Sequence, residues 1–211
     1  MTMTMTMTMT GNPEQAIMST TSTRRIGLLL PHLFVLGMCA VMLGGFVFQF
    51  GKWEYPCPLC MLQRMGMMLT AMGPAWIIAK SRDGAITRGD YATGFGLSVI
   101  TALLSAIVSG RQVLLHIAPT DPGFDTPLLG LHLYTWALVT FFIAALVAGA
   151  ACVMSDEAAP GATGFTTGSK TVLWIFAAFI AANLISCFAE QGLHLLLLHR
   201  PDGYRLFEFL G

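Results

Sequence analysis

The chain has 211 residues, of which 55% are hydrophobic and only 10% are charged, and its formal net charge is zero. Soluble domains normally carry about 25% charged residues, so this composition indicates a protein that lies in a lipid bilayer. Without an excess of basic residues, the composition also argues against a nucleic-acid partner. Because backbone polar groups in lipid must find their partners within each segment, the spans are expected to be helices, which predicts an all-α membrane protein.

The N-terminus opens with a Met-Thr repeat and remains polar up to Thr23. It has no apolar periodicity from which a core could be built, so residues 1–25 are predicted to form a disordered tail. The run that follows, 26–50, exceeds the roughly 7–15 apolar residues of a signal peptide and is long enough to cross the hydrocarbon. It is therefore expected to be the first membrane span.

Four further apolar runs are separated by short segments rich in turn and breaker residues. These runs cover 61–79, 91–117, 131–154 and 172–189. The predicted fold is a four-helix transmembrane bundle over residues 26–154 plus a fifth C-terminal transmembrane helix. A cytoplasmic linker over 155–170 would join the two parts, and residues 171–211 are expected to hold the fifth helix and an amphipathic tail on the outer surface.

Lysine and arginine residues are distributed unevenly between the two sides of the predicted bundle. With the N-terminus inside, six would flank the inner side and three the outer side. The inner set is Arg24, Arg25, Lys80, Arg82, Arg88 and Lys170, and the outer set is Lys52, Arg200 and Arg205. Since positive residues favour the cytoplasmic side, the N-terminus is predicted to be cytoplasmic in a multi-pass protein of the bacterial inner membrane.

Cys57 and Cys60 lie between the first and second predicted spans, with two residues between them. Two cysteines at this spacing can close a small, easily reduced disulfide, and a thiol at the start of a helix is acidified by the helix dipole. Pro58 fits the first helical turn, where its missing N–H has no cost. The predicted orientation puts the pair in the oxidising periplasm. An inert pair is the alternative, but this position favours electron transfer between external thiols and a molecule dissolved in the lipid.

Two arginines lie within the outer parts of the predicted spans, below the level of the lipid headgroups. Arg64 follows Cys60 by four residues and so shares its helix face, and Arg111 lies in the outer third of the third span. An arginine at this depth is costly and usually has a partner or a function, although it can also snorkel to the lipid phosphates. With hydrogen bonds from Gln63 and Gln112, the two arginines are predicted to form a site for a polar ring oxygen, such as a quinone carbonyl.

Three motifs resemble one known family. Residues 55–64, with the sequence YPCPLCMLQR, resemble the signature of the disulfide bond formation protein B family, the quinone-dependent thiol oxidases of the bacterial inner membrane. Residues 110–116, with the sequence GRQVLLH, resemble its third-helix motif, and residues 130–132 with Trp136 resemble the start of its fourth helix. The resemblance covers roughly residues 26–154.

The resemblance implies a role for each residue of the dithiol motif. Cys60 would contact the quinone, Cys57 would exchange with other thiols, and Arg64 would be the arginine of the quinone site, with Arg111 as a second candidate. The implied electron acceptor is ubiquinone or menaquinone, with no metal cofactor. The implied partner is a periplasmic thioredoxin-like thiol oxidase, similar to DsbA, or another dithiol protein.

The chain departs from the family pattern in the loop between the third and fourth helices. Family members carry a second cysteine pair there, which takes electrons from the soluble oxidase, whereas residues 118–130 contain no cysteine. The two-disulfide relay of the family therefore cannot operate here. The chain also continues into a fifth helix, whereas family members usually end after four, and His116 is offset by one residue from the position expected for the family histidine.

The fifth span ends in a stripe of polar residues at helical spacing. Its members are Asn183, Cys187, Glu190, Gln191 and His194. Either the helix continues to Leu198 with these residues facing the bundle, or it ends near Glu190 and 193–209 lies along the outer surface as an amphipathic segment. The second arrangement is preferred and would bring Cys187 close to the outer surface that holds Cys57. Cys187 is then predicted to be an auxiliary thiol, the alternative being a small buried apolar residue.

The favoured function is a membrane thiol:quinone oxidoreductase that reoxidises an external dithiol through Cys57 and Cys60. Two alternatives stay open. The reverse direction, quinone reduction in the manner of vitamin K epoxide reductase, uses a similar bundle, but the chain has no second cysteine pair for it. In the other alternative, the dithiol binds a soft cation such as Cu(I) in a non-catalytic membrane protein, with which the 14 methionines are compatible.

Overall fold

In the computed structural model, the described residues are 13–52, 56–118, 123, 127–158 and 165–191. They form six helices and no strand beyond an isolated bridge between Leu128 and Leu131. The helices are α1 (Pro13–Gly51), α2 (Pro58–Lys80), α3 (Arg88–Leu115), α4 (Leu133–Val153), the single turn α5 (Ser155–Ala158) and α6 (Thr167–Gln191). The predicted all-α fold, with a fifth long helix after a four-helix bundle, is confirmed.

Four of the described helices are long and apolar enough to cross a membrane, so the chain is a multi-pass membrane protein. These segments are Gly27–Gly51 of α1, Arg88–Leu115, Leu133–Val153 and Thr167–Glu190 of α6. The remaining long helix, α2, has 23 residues, of which 13 are buried. Its hydropathy is lowered by Gln63 and Arg64, and burial between α1 and α3 shields these side chains from lipid. Its crossing stays a prediction.

Small residues allow α2 and α3 to pack closely along their length. A Cβ on Gly73 of α2 would overlap the carbonyl oxygen of Gly94 on α3, so only glycine permits this approach. One turn further along, the hydroxyl of Ser98 donates to the carbonyl oxygen of Thr70 at 2.7 Å. Close backbone contact and hydrogen bonds of this kind replace the hydrophobic effect as the force between helices in lipid. They hold the second half of α2 against the first half of α3.

The fifth long helix, α6, runs parallel to α1 and is hydrogen-bonded to it near both ends. The His32 ring nitrogen Nε2 lies 2.9 Å from the Ser169 hydroxyl, and Nε2 of Gln49 donates to the Ser186 hydroxyl at 2.8 Å. Both pairs are separated by 137 positions in the sequence, so the two helices keep one register. About 25 Å of helix lies between the two bonds. The fifth helix is therefore part of the bundle.

Two helix boundaries differ from the expected ones. α1 begins at Pro13, so residues 13–25 are helical, although they were expected within the disordered tail. Proline suits a first helical turn, and each residue added to an existing helix gains a hydrogen bond. α6 begins at Thr167, within the predicted linker, because the Thr166 hydroxyl accepts from the Ser169 amide at 3.4 Å and caps the helix. Residues 1–12 and the predicted amphipathic segment 193–209 lie outside the described residues.

Candidate functional site

The cysteine pair lies at one end of the bundle, here called the disulfide end, where α1, α3 and α6 finish and α2 and α4 begin. Cys57 and Cys60 form a disulfide with their Cα atoms 5.0 Å apart. Cys57 is the N-cap of α2, and its sulfur accepts a hydrogen bond from the Cys60 amide at 3.1 Å. Pro58 takes the first helical position, as predicted from its missing N–H. Both sulfurs therefore lie at the positive end of a helix.

The two cysteines differ in exposure. Cys57 is only 5% exposed, whereas Cys60 is partly exposed. The resemblance implies that Cys57 exchanges with external thiols, yet it is the more buried of the two. The assignment of Cys57 as the cysteine that exchanges with external thiols therefore stays a prediction.

Two buried glutamines join the disulfide to α3. Nε2 of Gln112 donates to the Cys57 sulfur at 3.2 Å and lies 3.6 Å from the Cys60 sulfur. Nε2 of Gln63 donates in turn to the Gln112 side-chain oxygen at 2.9 Å, which turns the Gln112 amide nitrogen toward the sulfurs. A donor held in this position stabilises a thiolate when the disulfide opens. The two glutamines predicted near the dithiol are thus brought together there.

Arg64 is buried against the end of α1. Its guanidinium donates to the Gln49 side-chain oxygen at 2.5 Å and to the Gly45 carbonyl oxygen at 3.0 Å. It also lies over the Phe46 ring, 4.9 Å from the ring centre. A Cβ on Gly45 would come within 3.3 Å of the arginine Nε, so a glycine here gives the guanidinium its space. These contacts satisfy the buried cation with neutral acceptors and an aromatic face.

The same network continues from α1 to α6. Gln49, which accepts from Arg64, donates its amide hydrogen to the Ser186 hydroxyl at 2.8 Å. Asn183 and Glu190 share the buried face of α6 with Ser186. Sequence reasoning identified Asn183 and Glu190 in the polar stripe but missed Gln49 and Ser186. A glutamine within an apolar span was the available signal for Gln49.

The other predicted site residues occupy separate positions. The Arg111 side chain is exposed, while its neighbour Gln112 is buried, because successive residues of a helix point in different directions. Its predicted role in quinone binding stays a prediction. Cys187 is a free thiol and partly buried, and its role as an auxiliary thiol also stays a prediction. Of the two cysteines expected to be structural, Cys39 is buried in the core and Cys152 is partly buried.

An aromatic cluster closes the disulfide end between α3 and α4. The Tyr134 ring lies 5.5 Å from the His116 ring and stacks on the His132 ring at 5.2 Å. A Cβ on Gly123, which has a φ of +77°, would overlap the His132 ring. The cluster packs the loop between α3 and α4 against the start of α4.

Known proteins with similar sequences share the part of the chain that builds this site. The family model for disulfide bond formation protein DsbB matches residues 27–125. Disulfide bond formation protein B 1 of Pseudomonas fluorescens is 31% identical over 157 residues, which are 59% of this chain and 90% of that protein. The chain belongs to the disulfide bond formation protein B family.

Two further relatives match shorter stretches. Disulfide bond formation protein B of Chromobacterium violaceum is 39% identical over 105 residues, which are 49% of this chain and 58% of that protein. The protein of the same name from Chromohalobacter salexigens is 35% identical over 100 residues, which are 44% of this chain and 56% of that protein. No solved structure matches the chain.

The match to the disulfide bond formation protein B family model divides the site into two parts. Residues 27–125 include the disulfide, both glutamines, Arg64 and Gln49. α4 and α6 lie beyond it, and with them Ser186 and Glu190. The sulfur side of the site thus belongs to the family segment, while part of the arginine side comes from a helix outside it.

Proposed function

We propose that the protein is a thiol:quinone oxidoreductase that reoxidises an external dithiol and passes the electrons to a membrane quinone. The observation that carries this proposal is a reducible disulfide at one end of a membrane bundle, held by the Gln112 amide, with the buried Arg64 one helical turn further in. Membership of the disulfide bond formation protein B family supports the disulfide chemistry.

The first half-reaction is thiol–disulfide exchange. A thiolate of the partner attacks the Cys57 sulfur, a mixed disulfide forms, and Cys60 leaves as a thiolate. The positive end of α2 and the Gln112 amide nitrogen, 3.6 Å from the Cys60 sulfur, stabilise the negative charge that develops there. The second thiolate of the partner then attacks the partner's own sulfur in the mixed disulfide, and Cys57 leaves as a thiolate, so that the partner is released oxidised and the pair is reduced.

The second half-reaction returns the pair to a disulfide. The two sulfurs lose two electrons and two protons as their bond forms again, and a quinone bound near Cys60 supplies the oxidising power. The residues present fit such a ring, because Arg64 and the buried amides of Gln63 and Gln112 provide hydrogen-bond donors to polar ring oxygens. Ubiquinone or menaquinone would take this place, held by Arg64.

One cysteine pair would have to serve both half-reactions. The loop between α3 and α4 contains no cysteine, so the donor and the acceptor must meet the same disulfide in turn. The charge distribution supports an orientation with a cytoplasmic N-terminus and a periplasmic disulfide end. A periplasmic thioredoxin-like thiol oxidase is then the proposed partner.

Reoxidation of the purified, reduced protein tests this function. The protein in lipid nanodiscs is reduced with dithiothreitol, desalted without oxygen and mixed with a short-chain ubiquinone or menaquinone. We expect each equivalent of quinone reduced to close one Cys57–Cys60 disulfide, as measured by ring absorbance and thiol alkylation. Cys60→Ser should stop the reaction and serves as the matched control. A pair that stays reduced with both quinones would contradict the proposal.

A further inference from the structure

Five buried side-chain atoms of the described residues have no hydrogen-bond partner, and all lie in the half of their helix nearest the disulfide. They belong to Ser109 near the end of α3 and to Asn183 and Glu190 on α6. Buried polar groups are otherwise almost always paired, so each exception calls for an explanation such as a catalytic role or a bound ligand. Unpaired buried polar groups are thus found toward the disulfide end of the bundle.

Glu190 is the most informative of these groups. It is 3% exposed, and neither carboxyl oxygen has a hydrogen-bond partner among the described residues. Burying a carboxylate without a partner is strongly unfavourable, so a carboxyl in this position has a reason to carry a proton. It lies one helical turn beyond Ser186, which the Gln49 amide ties to Arg64. Arg64 is also close enough to act on Glu190 electrostatically.

We propose that Glu190 is the proton-carrying group of the acceptor site: its carboxyl holds a proton beside Arg64 and gives it to the acceptor's ring oxygen while Cys57 and Cys60 close their disulfide. This inference rests on the proposed quinone-linked function. It assigns a catalytic residue to α6, a helix that lies beyond the residues matched by the family model.

The atoms and electrons of this step balance. The reduced pair loses two electrons and two protons as the sulfur–sulfur bond forms, and the quinone gains two electrons and two protons to become a hydroquinone. Glu190 supplies one of these protons and the solvent at the disulfide end supplies the other. The two protons released by the thiols pass to the same solvent, from which the Glu190 carboxylate is protonated again.

Two ionisable side chains of the described residues interact electrostatically with Glu190, one from α2 and one from α6 itself. α2 brings Arg64, and α6 brings the free thiol of Cys187. At the end of α1, Lys52 is exposed and its ammonium lies over the Phe48 ring, 4.5 Å from the ring centre. Arg64 is thus the cation of the described residues that acts on Glu190.

Glu190→Gln tests the proposal, because the amide keeps the size of the side chain and removes the exchangeable acid. We expect the rate of quinone-linked reoxidation in nanodiscs to fall about a hundredfold, with the KM for the short-chain quinone little changed. Glu190→Asp should restore a substantial part of the rate. Asp156→Asn, which removes a carboxylate from the surface at the other end of the bundle, is the matched control and should react like the wild type.

Two further measurements separate this inference from the proposed function and from misfolding. Reduction of the Cys57–Cys60 disulfide by dithiothreitol should proceed at the wild-type rate in Glu190→Gln, which shows that the variant is folded. The infrared spectrum of the wild type minus that of Glu190→Gln, both recorded without quinone, should contain the band of a protonated carboxyl group.

Each outcome bears on a different claim. A wild-type protein that reduces no quinone overturns the proposed function. A wild-type protein that reduces quinone at a rate unchanged in Glu190→Gln, or that lacks the carboxyl band, overturns only the role of Glu190. Loss of the rate in both Glu190→Gln and Asp156→Asn would also contradict it, because the effect would then follow from general loss of charge.

Discussion

The two ends of the bundle treat polar groups in opposite ways. At the end away from the disulfide, two ion pairs join helix ends. Lys80 pairs with Asp90, which also closes a capping box with Thr87, and Arg88 pairs with the exposed Asp156 at 2.7 Å. At the disulfide end, Arg64 is buried on neutral acceptors, and Glu190 is buried with no hydrogen-bond partner among the described residues. Exposed ion pairs contribute little to stability, whereas a buried charged or polar group without a partner is costly to the fold and calls for an explanation.

The largest expected effect comes from removing a sulfur at the disulfide end. Cys57→Ser or Cys60→Ser should abolish quinone reduction by dithiothreitol, because no second described disulfide can carry the electrons. Cys152→Ser, a free and partly buried thiol in the half of the bundle away from the disulfide, is the control and should retain activity. Quinone absorbance measures the turnover of each variant, and alkylation counts its free thiols. Residual turnover in Cys60→Ser would show that another thiol takes part.

Arg64→Gln should have the next largest effect. It removes a buried cationic donor, and a hydrogen bond to a charged group is worth about 1.5–3 kcal/mol. We therefore expect the KM for a short-chain quinone to rise by about tenfold to a hundredfold. Lys80→Gln removes a cation from the opposite end and should leave the KM unchanged. If both variants raise the KM equally, the contrast between the two ends has no functional meaning.

Gln112→Leu should alter the disulfide itself. It removes the amide donor that lies 3.2 Å from the Cys57 sulfur and 3.6 Å from the Cys60 sulfur. Because that donor favours the thiolate, its loss should make the disulfide harder to reduce, lowering the reduction potential by roughly 30–60 mV. Equilibration with glutathione or dithiothreitol buffers measures the potential. Thr101→Val, on an exposed part of α3, is the control, and an unchanged potential in Gln112→Leu would rule out the proposed donor role.

The smallest effect is expected from the surface pair of Arg88 and Asp156. Both side chains are more than half exposed, so their coupling should be at most about 0.5 kcal/mol in a double-mutant cycle. Thermal unfolding in detergent measures the stability, and quinone-linked reoxidation should be unchanged in all members of the cycle. A coupling above about 2 kcal/mol would mean that the polar contacts at this end also contribute substantially to the stability of the protein.

Local features of the sequence were sufficient for much of the fold and for the centre of the site. The length of the apolar runs predicted the long helices, and the spacing from Cys57 to Arg64 predicted one helix that carries both the dithiol and the cation. Gln63 and Gln112 were named from their positions near span ends. Their direct bond, and the contact of Gln112 with the sulfurs, depend on how closely α2 and α3 pack.

The contacts of the fifth helix depend on tertiary packing and could not be predicted from the spacing of residues along the sequence. Gln49 and Ser186 are 137 positions apart, and their bond follows from the parallel alignment of α1 and α6. The helical spacing of the polar residues around Glu190 was visible in the sequence, but this spacing does not show which neighbouring helix the residues face. The exposure of Arg111 also follows from the rotation of α3 against α2, which spacing along one helix does not determine.

The position of α6 in the chain also has a consequence for biosynthesis. A membrane protein is made from its N-terminus, so α6 is the last of the described helices to enter the bilayer. By then the newly made bundle already holds Cys57, Cys60 and Arg64, while Gln49 still lacks Ser186. In the proposed reaction, the side that exchanges thiols is therefore synthesised before the acceptor side is complete. Insertion of α6 would be the step that completes the proposed acceptor site.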